Sequence, residues 1–75
     1  MQDRAPHFES VAQAVAWLTQ EADRLDLRAR TMARLASDYE RYGLTTEAES
    51  ARFTSRSCRI DSIADRAFAA TLEAR

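Results

Sequence analysis

A single glycine, Gly43, stands in a chain of 75 residues, and the single proline, Pro6, lies near the amino terminus. Between and beyond these positions nothing in the sequence must break a helix. The apolar residues recur at helical rather than strand spacing. Such a chain is limited to two long helices and one reversal. From Val11 the apolar and small residues alternate spacings of four and three: Val11, Val15, Leu18, Ala22, Leu25, Ala29, Met32, Ala36 and Tyr39. A heptad pattern sustained this long without a slip predicts one helix with a packing seam. Trp17, Leu35 and Tyr42 lie beside that seam and widen it. Ser10 and Gln13 have the spacing of a capping box, which places the start of the helix, and Pro6 lies outside it.

Gly43 follows the last periodic residue, where a helix takes a left-handed residue to close its carbonyls. Leu44 is then the apolar residue that folds back on the last turn. Thr46 and Glu49 read as a second capping box, with Glu47 and Glu49 near the positive end of a new helix dipole. The segment YGLTTEAE is therefore a stop, a turn and a restart. A connection this short makes the two helices antiparallel neighbours. The second helix carries its own four-and-three pattern in Phe53, Ser57, Ile60, Ala64, Ala67, Thr71 and Ala74, flanked by Ile63 and Phe68. This stripe is the expected seam against the first helix. The expected fold is all-α: an antiparallel two-helix hairpin with a helix over residues 10–42, a turn at Gly43–Thr45 and a helix over 46–74. Residues 1–8 are expected to form a flexible tail before a hairpin domain at 9–75. Each helix is roughly 45–50 Å long at about 1.5 Å per residue.

A chain of this size buries only about 60% of its unfolded surface, and small domains add a disulfide, a metal or a partner. Cys58 is the only cysteine and His7 the only histidine, which leaves the partner. The first helix presents an apolar band through Trp17, Leu18, Leu25, Met32, Leu35 and Tyr39, wider than one neighbour covers. A second hairpin covering the rest makes a four-helix bundle. Leu18, Leu25, Met32, Leu35 and Tyr39 are the expected dimer seam. Glu21 and Arg28 lie within the band, seven residues apart, where a charged pair fixes register across a seam or is simply exposed.

Chemistry is thinly represented. No glycine-rich phosphate loop exists, and the histidine stands next to Pro6, remote from any nucleophile. Cys58, Asp61 and Asp65 share a helix face, but a thiolate with two carboxylates and no histidine is a poor metal set. No enzyme activity, metal or cofactor is expected. No apolar run approaches the ~20 residues of a membrane span, and MQDRAPHFES lacks the apolar core of a signal peptide. With a lone thiol, these point to a cytoplasmic protein without membrane contact.

All eleven basic residues are arginine, against twelve acidic ones. Arg52, Arg56, Arg59 and Arg66 form one stripe beside the seam of the second helix, and Glu47, Asp61 and Asp65 lie on its opposite flank. Arg30, Arg34 and Arg41 make a second basic strip. Such arginines either pair between helices or contact phosphates or an acidic protein surface. Trp17 and Tyr42 are the aromatic candidates for partner anchors.

The segment QEADRLDLRARTMARLASDYERYGLTTEAESAR, less than half of the chain, resembles the helix–glycine–helix part of a type I-E anti-CRISPR family. The likeness rests on Gly43, Leu44 and the Glu/Ala run that follows. It implies a small homodimeric helical inhibitor, encoded by a phage or mobile element, that binds a component of a CRISPR effector. That family has no catalytic residue to carry over. The leading expectation is thus a non-catalytic protein-interaction module. The alternative is a nucleic-acid-binding bundle using the arginine stripe. In architecture it is similar to the plasmid Rop proteins, which bind paired RNA loops on one bundle face, although no Rop motif is visible.

Overall fold

The computed structural model describes residues 7–75, so residues 1–6 of the expected tail, Pro6 included, lie outside the described residues. Two helices make up the fold: α1, Val11–Arg41, and α2, Thr45–Glu73. They pack on each other as a hairpin.

Ser10 caps α1. Its Oγ accepts the Gln13 N–H at 3.1 Å, and Gln13 Oε1 accepts the Glu9 N–H at 2.8 Å. The Gln13 side chain closes on Glu9 rather than on Ser10 itself, so the cap satisfies one orphan donor of the helix, the Gln13 N–H, and pins the preceding residue to the first turn. At the other end the Gly43 N–H donates to the Glu40 carbonyl at 3.0 Å and the Leu44 N–H to the Tyr39 carbonyl at 2.9 Å. This pair of bonds is the Schellman closure. Gly43 holds φ at +76° to make it, and no other described residue has a positive φ.

The restart differs from the expectation in one detail. α2 begins at Thr45 with Leu44 as its N-cap, and no side chain caps it. The Thr46–Glu49 box does not form, because the Schellman turn ends directly at Leu44. Thr46 is already inside the first turn, where its hydroxyl has no N-cap geometry. Glu47 does sit in that first turn, favourably placed against the helix dipole.

The larger correction concerns the face α2 turns toward α1. Phe53, Ile60, Ile63 and Phe68 are 66%, 65%, 63% and 54% exposed, and Ala64, Ala67, Thr71 and Ala74 are exposed as well. The expected seam points away from α1. The stripe that packs is Ala48, Ala51, Ser55, Cys58, Ser62 and Ala69, all buried, at heptad spacing on the opposite side of the helix. It meets Leu18, Ala22, Ala29 and Ala36, the buried residues of the seam expected for α1. Both stripes of α2 have the period of a packing seam; size separates them. The Ser55 hydroxyl donates to the Ala29 carbonyl across the interface at 2.8 Å. A side chain that short reaches the opposite backbone only where the axes lie near the close end of the ~8–10 Å range of packed helices. Phe53 or Ile60 in that position would hold the helices apart and strand the alanines of α1.

The core is consequently made of small groups. Leu18 is its one large aliphatic side chain among the described residues, so the hydrophobic contribution to stability, about 25 cal/mol per Å² buried, is modest. No described helix is long and apolar enough to cross a membrane.

Candidate interaction surfaces

Three surfaces remain once the hairpin has closed. The first is the outer face of α2, with the four large side chains above. The second lies along the line where the helices meet. There Met32, Leu35 and Tyr39 of α1 and Glu47, Ser50 and Ala51 of α2 line a shallow groove. Further along α1, Glu21, Leu25, Leu27, Arg28 and Met32 line an adjoining hollow. The third lies on the other side of that line. It is lined by Ala33, Ser37, Arg52, Ser55, Arg56 and Arg59, and it adjoins a hollow at Asp26, Ala29, Arg30 and Arg59. One broad face of the hairpin is therefore apolar with charges of both signs at its edge, Glu21 and Glu47 beside Arg24 and Arg28, and the other is rich in arginine.

The residues of the expected dimer seam divide between these regions. Leu18 is buried inside the hairpin, while Leu25, Met32, Leu35 and Tyr39 are half-buried. Trp17 stands at the edge of exposure and packs against Phe8, with ring centroids 5.8 Å apart and planes tilted by 52°. Phe8 belongs to the segment read as a tail, yet it is half-buried on this ring. Only the pairing of two distant aromatics reveals that contact, and no periodic signal marks it. Tyr42, the C-cap of α1, is 74% exposed.

The arginine stripe splits in two. Arg66 bonds Asp23 at 2.9 Å and Asp26 at 2.6 Å, and Arg52 pairs with Glu40. These two tie α2 to α1 at separate points along the hairpin. Arg56 and Arg59 make no ion pair among the described residues, and neither do Arg30 and Arg34. Arg41 bonds Asp38 within α1 at 3.0 Å. Glu21 pairs with Arg24, one turn away, rather than with Arg28. That local bond satisfies Glu21 without a dimer register. Asp23 and Asp26, the partners of Arg66, were not singled out by the sequence. Their significance lies in pairing across 43 and 40 residues of chain.

Two carboxyl groups are shifted in opposite directions. The Ser62 hydroxyl and the Arg66 guanidinium hold Asp26 below its usual value of 3.8. Burial raises Asp65 above 3.8, and the negative charges of Glu21 and Asp61 raise it further. The consequences for stability are opposite in sign. Asp26 supports the fold above about 3.8, and that support is lost as pH falls through its lowered pKa. Asp65 favours the fold fully below 3.8, and that contribution is gone once pH has risen through its raised pKa. Asp65→Asn is therefore expected to raise the melting midpoint at pH 7, with the gain shrinking in acid. Asp26→Asn is expected to lower it at pH 7, with the loss shrinking in acid. Melts followed by circular dichroism from pH 3 to 7 check both.

No catalytic constellation is assembled among the described residues. Cys58 is a buried free thiol, Asp61 is exposed and Asp65 half-buried. No group of three His, Cys, Asp or Glu among the described residues is placed to hold a metal ion. Compared with known proteins, the chain matches no family model, no curated protein and no solved structure.

Proposed function

We propose that this chain is a non-catalytic protein-interaction module: a rigid helical hairpin that works as a small homodimeric regulator or inhibitor in the cytoplasm. One observation carries this reading. The hairpin spends its small residues on its own core and leaves its large apolar side chains outside. Phe53, Ile60, Ile63 and Phe68 on α2, Leu27 on α1 and Tyr42 at its C-cap are more than half exposed. The four on α2 share one outer side of the helix, and exposed apolar surface of this kind marks interaction sites; aromatic anchors such as Trp17 and Tyr42 contribute disproportionately where they are covered. A second hairpin seated on Leu25, Met32, Leu35 and Tyr39 instead would make a four-helix bundle.

The likeness of residues 20–52 to a type I-E anti-CRISPR family supplies the class of target, a protein component of a CRISPR effector. The test is titration of the purified chain into a purified type I-E effector, reading complex formation and DNA cleavage. Inhibition that weakens tenfold or more in Trp17→Ala or Tyr42→Ala, with helicity retained, supports the reading. No binding removes the CRISPR effector as the target and leaves the module without it.

The arginine face favours a second reading, because Arg30, Arg56 and Arg59 surround one groove side without ion-pair partners among the described residues. Phosphate contacts by these guanidinium groups would make a Rop-like nucleic-acid binder. Its affinity would fall steeply with salt, and Arg56→Ala/Arg59→Ala would reduce the log–log slope by about 0.7–0.9 per lost contact. A slope unchanged by the double substitution excludes that face.

A further inference from the structure

We propose that the outer face of α2 is the seam of a parallel, two-fold symmetric dimer, in which a second copy of this chain covers Phe53, Ile60, Ile63 and Phe68. The inference rests on the interaction-module reading and fixes the partner of this one face. The face has the period of a helix–helix seam. Phe53 and Ile60 alternate with Ser57 and Ala64 in its first half, and Ala67, Thr71 and Ala74 continue the same spacing with small residues. It lies opposite the Ala48–Ala69 stripe that α1 already occupies, and a second α2 meets no obstruction from either α1.

The flanks of the seam select the partner and its direction. Glu49, Arg56, Ile63 and Ala70 run along one side, and Glu47, Thr54, Asp61 and Phe68 along the other. In a parallel pair, each residue of the first flank faces the residue five positions further on in the partner's second flank, where ion pairs between such helices form. Arg56 then meets Asp61 of the partner subunit, and Ile63 meets Phe68 of the partner subunit. The two-fold axis repeats both contacts. One register thus covers all four exposed large side chains of α2 and pairs Arg56 with Asp61 on both sides of the axis. An antiparallel pair sets each flank against itself, so Arg56 never reaches Asp61.

Intrachain pairing agrees. Arg52 and Arg66, beside α1, are bonded within the hairpin, whereas Arg56 and Asp61, on the outer edges, are exposed and have no ion pair among the described residues. The helix is 29 residues long. At about 1.5 Å per residue it offers seam and flanks over ~44 Å, an area on the order of the ~800 Å² per partner that stable dimers bury.

The experiment combines mass with direction. Light scattering on the full chain should give twice the monomer mass at micromolar concentration. Arg56→Asp and Asp61→Arg should each shift the chain toward monomer, and mixing the two should restore the dimer, because each then supplies the charge the other lacks. In a Cys58→Ser background, Ala67→Cys should oxidise to a disulfide-linked dimer, since a parallel seam brings the two copies of position 67 together. An antiparallel pair centred on α2 holds them roughly 24 Å apart. If the single reversals lose helicity with the dimer, recovery of both on mixing still supports the seam. A helical monomer at every concentration overturns the dimer and leaves α2 free for a foreign protein. A dimer that forms without the Ala67→Cys link, or that survives Ile60→Asp, overturns this seam while keeping self-association.

Discussion

Ala29→Leu should abolish the cooperative unfolding transition near room temperature or force the helices into a different pairing. Ala29 is buried at the centre of the α1 stripe, and its carbonyl accepts the Ser55 hydroxyl at 2.8 Å. Leucine fills the space that lets the helices approach. Overpacking costs about 1–3 kcal/mol. Pushing the axes apart also removes the partner of a buried hydroxyl, for about 1–3 kcal/mol more. A core of this size rarely supplies more than ~3–5 kcal/mol, so the sum is comparable to the whole stability. Helix propensity is not the cause, because leucine ranks close to alanine. Ala16→Leu, on an exposed position of the same helix, is the matched control and should melt like the parent chain. Urea unfolding followed by circular dichroism distinguishes the two. Equal midpoints for Ala29→Leu and the parent would refute the close alanine seam.

Gly43→Val should cost about 2 kcal/mol or more, through the backbone alone. The residue sits at φ +76°, and a Cβ added there meets nothing within 4 Å. No clash therefore contributes. An L-residue in the left-handed region costs roughly 1–2 kcal/mol, and a β-branched one is worse placed still. Asparagine tolerates that region better than most residues, so the expected order of stability is Gly43, then Gly43→Asn, Gly43→Ala and Gly43→Val. The same series tests the Schellman bonds to Tyr39 and Glu40, because relieving the strain requires abandoning them. Chains that escape by straightening into one helix expose both seams and exchange α2 with a neighbour. They would appear as swapped assemblies that persist when Ile60→Asp disrupts the outer face of α2, which the Gly43 chain should not form. A flat stability series would show that the turn does not depend on the left-handed residue.

The parts of the fold visible in the residues are those set over short stretches of chain. Ser10 with Gln13 marks where α1 begins, and Gly43 with Leu44 marks where it ends. Each is a hydrogen-bonding requirement met within a few residues. The α1 seam was also legible, because one stripe on that helix carries all of its buried positions. The surfaces were less so. Arg52 and Arg66 look identical to Arg56 and Arg59 along the helix. They differ only because Glu40, Asp23 and Asp26 come from the other helix to meet them. Phe8 gave no signal of its own, because its contact with Trp17 belongs to no repeat.

Cap chemistry and single-helix periodicity are local, and they dictate two helices, their antiparallel order and the face α1 buries. The choice between the two stripes of α2 is not local. Phe53–Ile60–Ala67 and Ala51–Cys58 satisfy the same period, and hydrophobicity favours the first. The distance between the axes decides for the second. Ala22, Ala29 and Ala36 keep their contacts only against something equally small, and Ser55 finds its acceptor only at that separation. Close packing against α1 thus sends the larger side chains outward, where another chain can cover them.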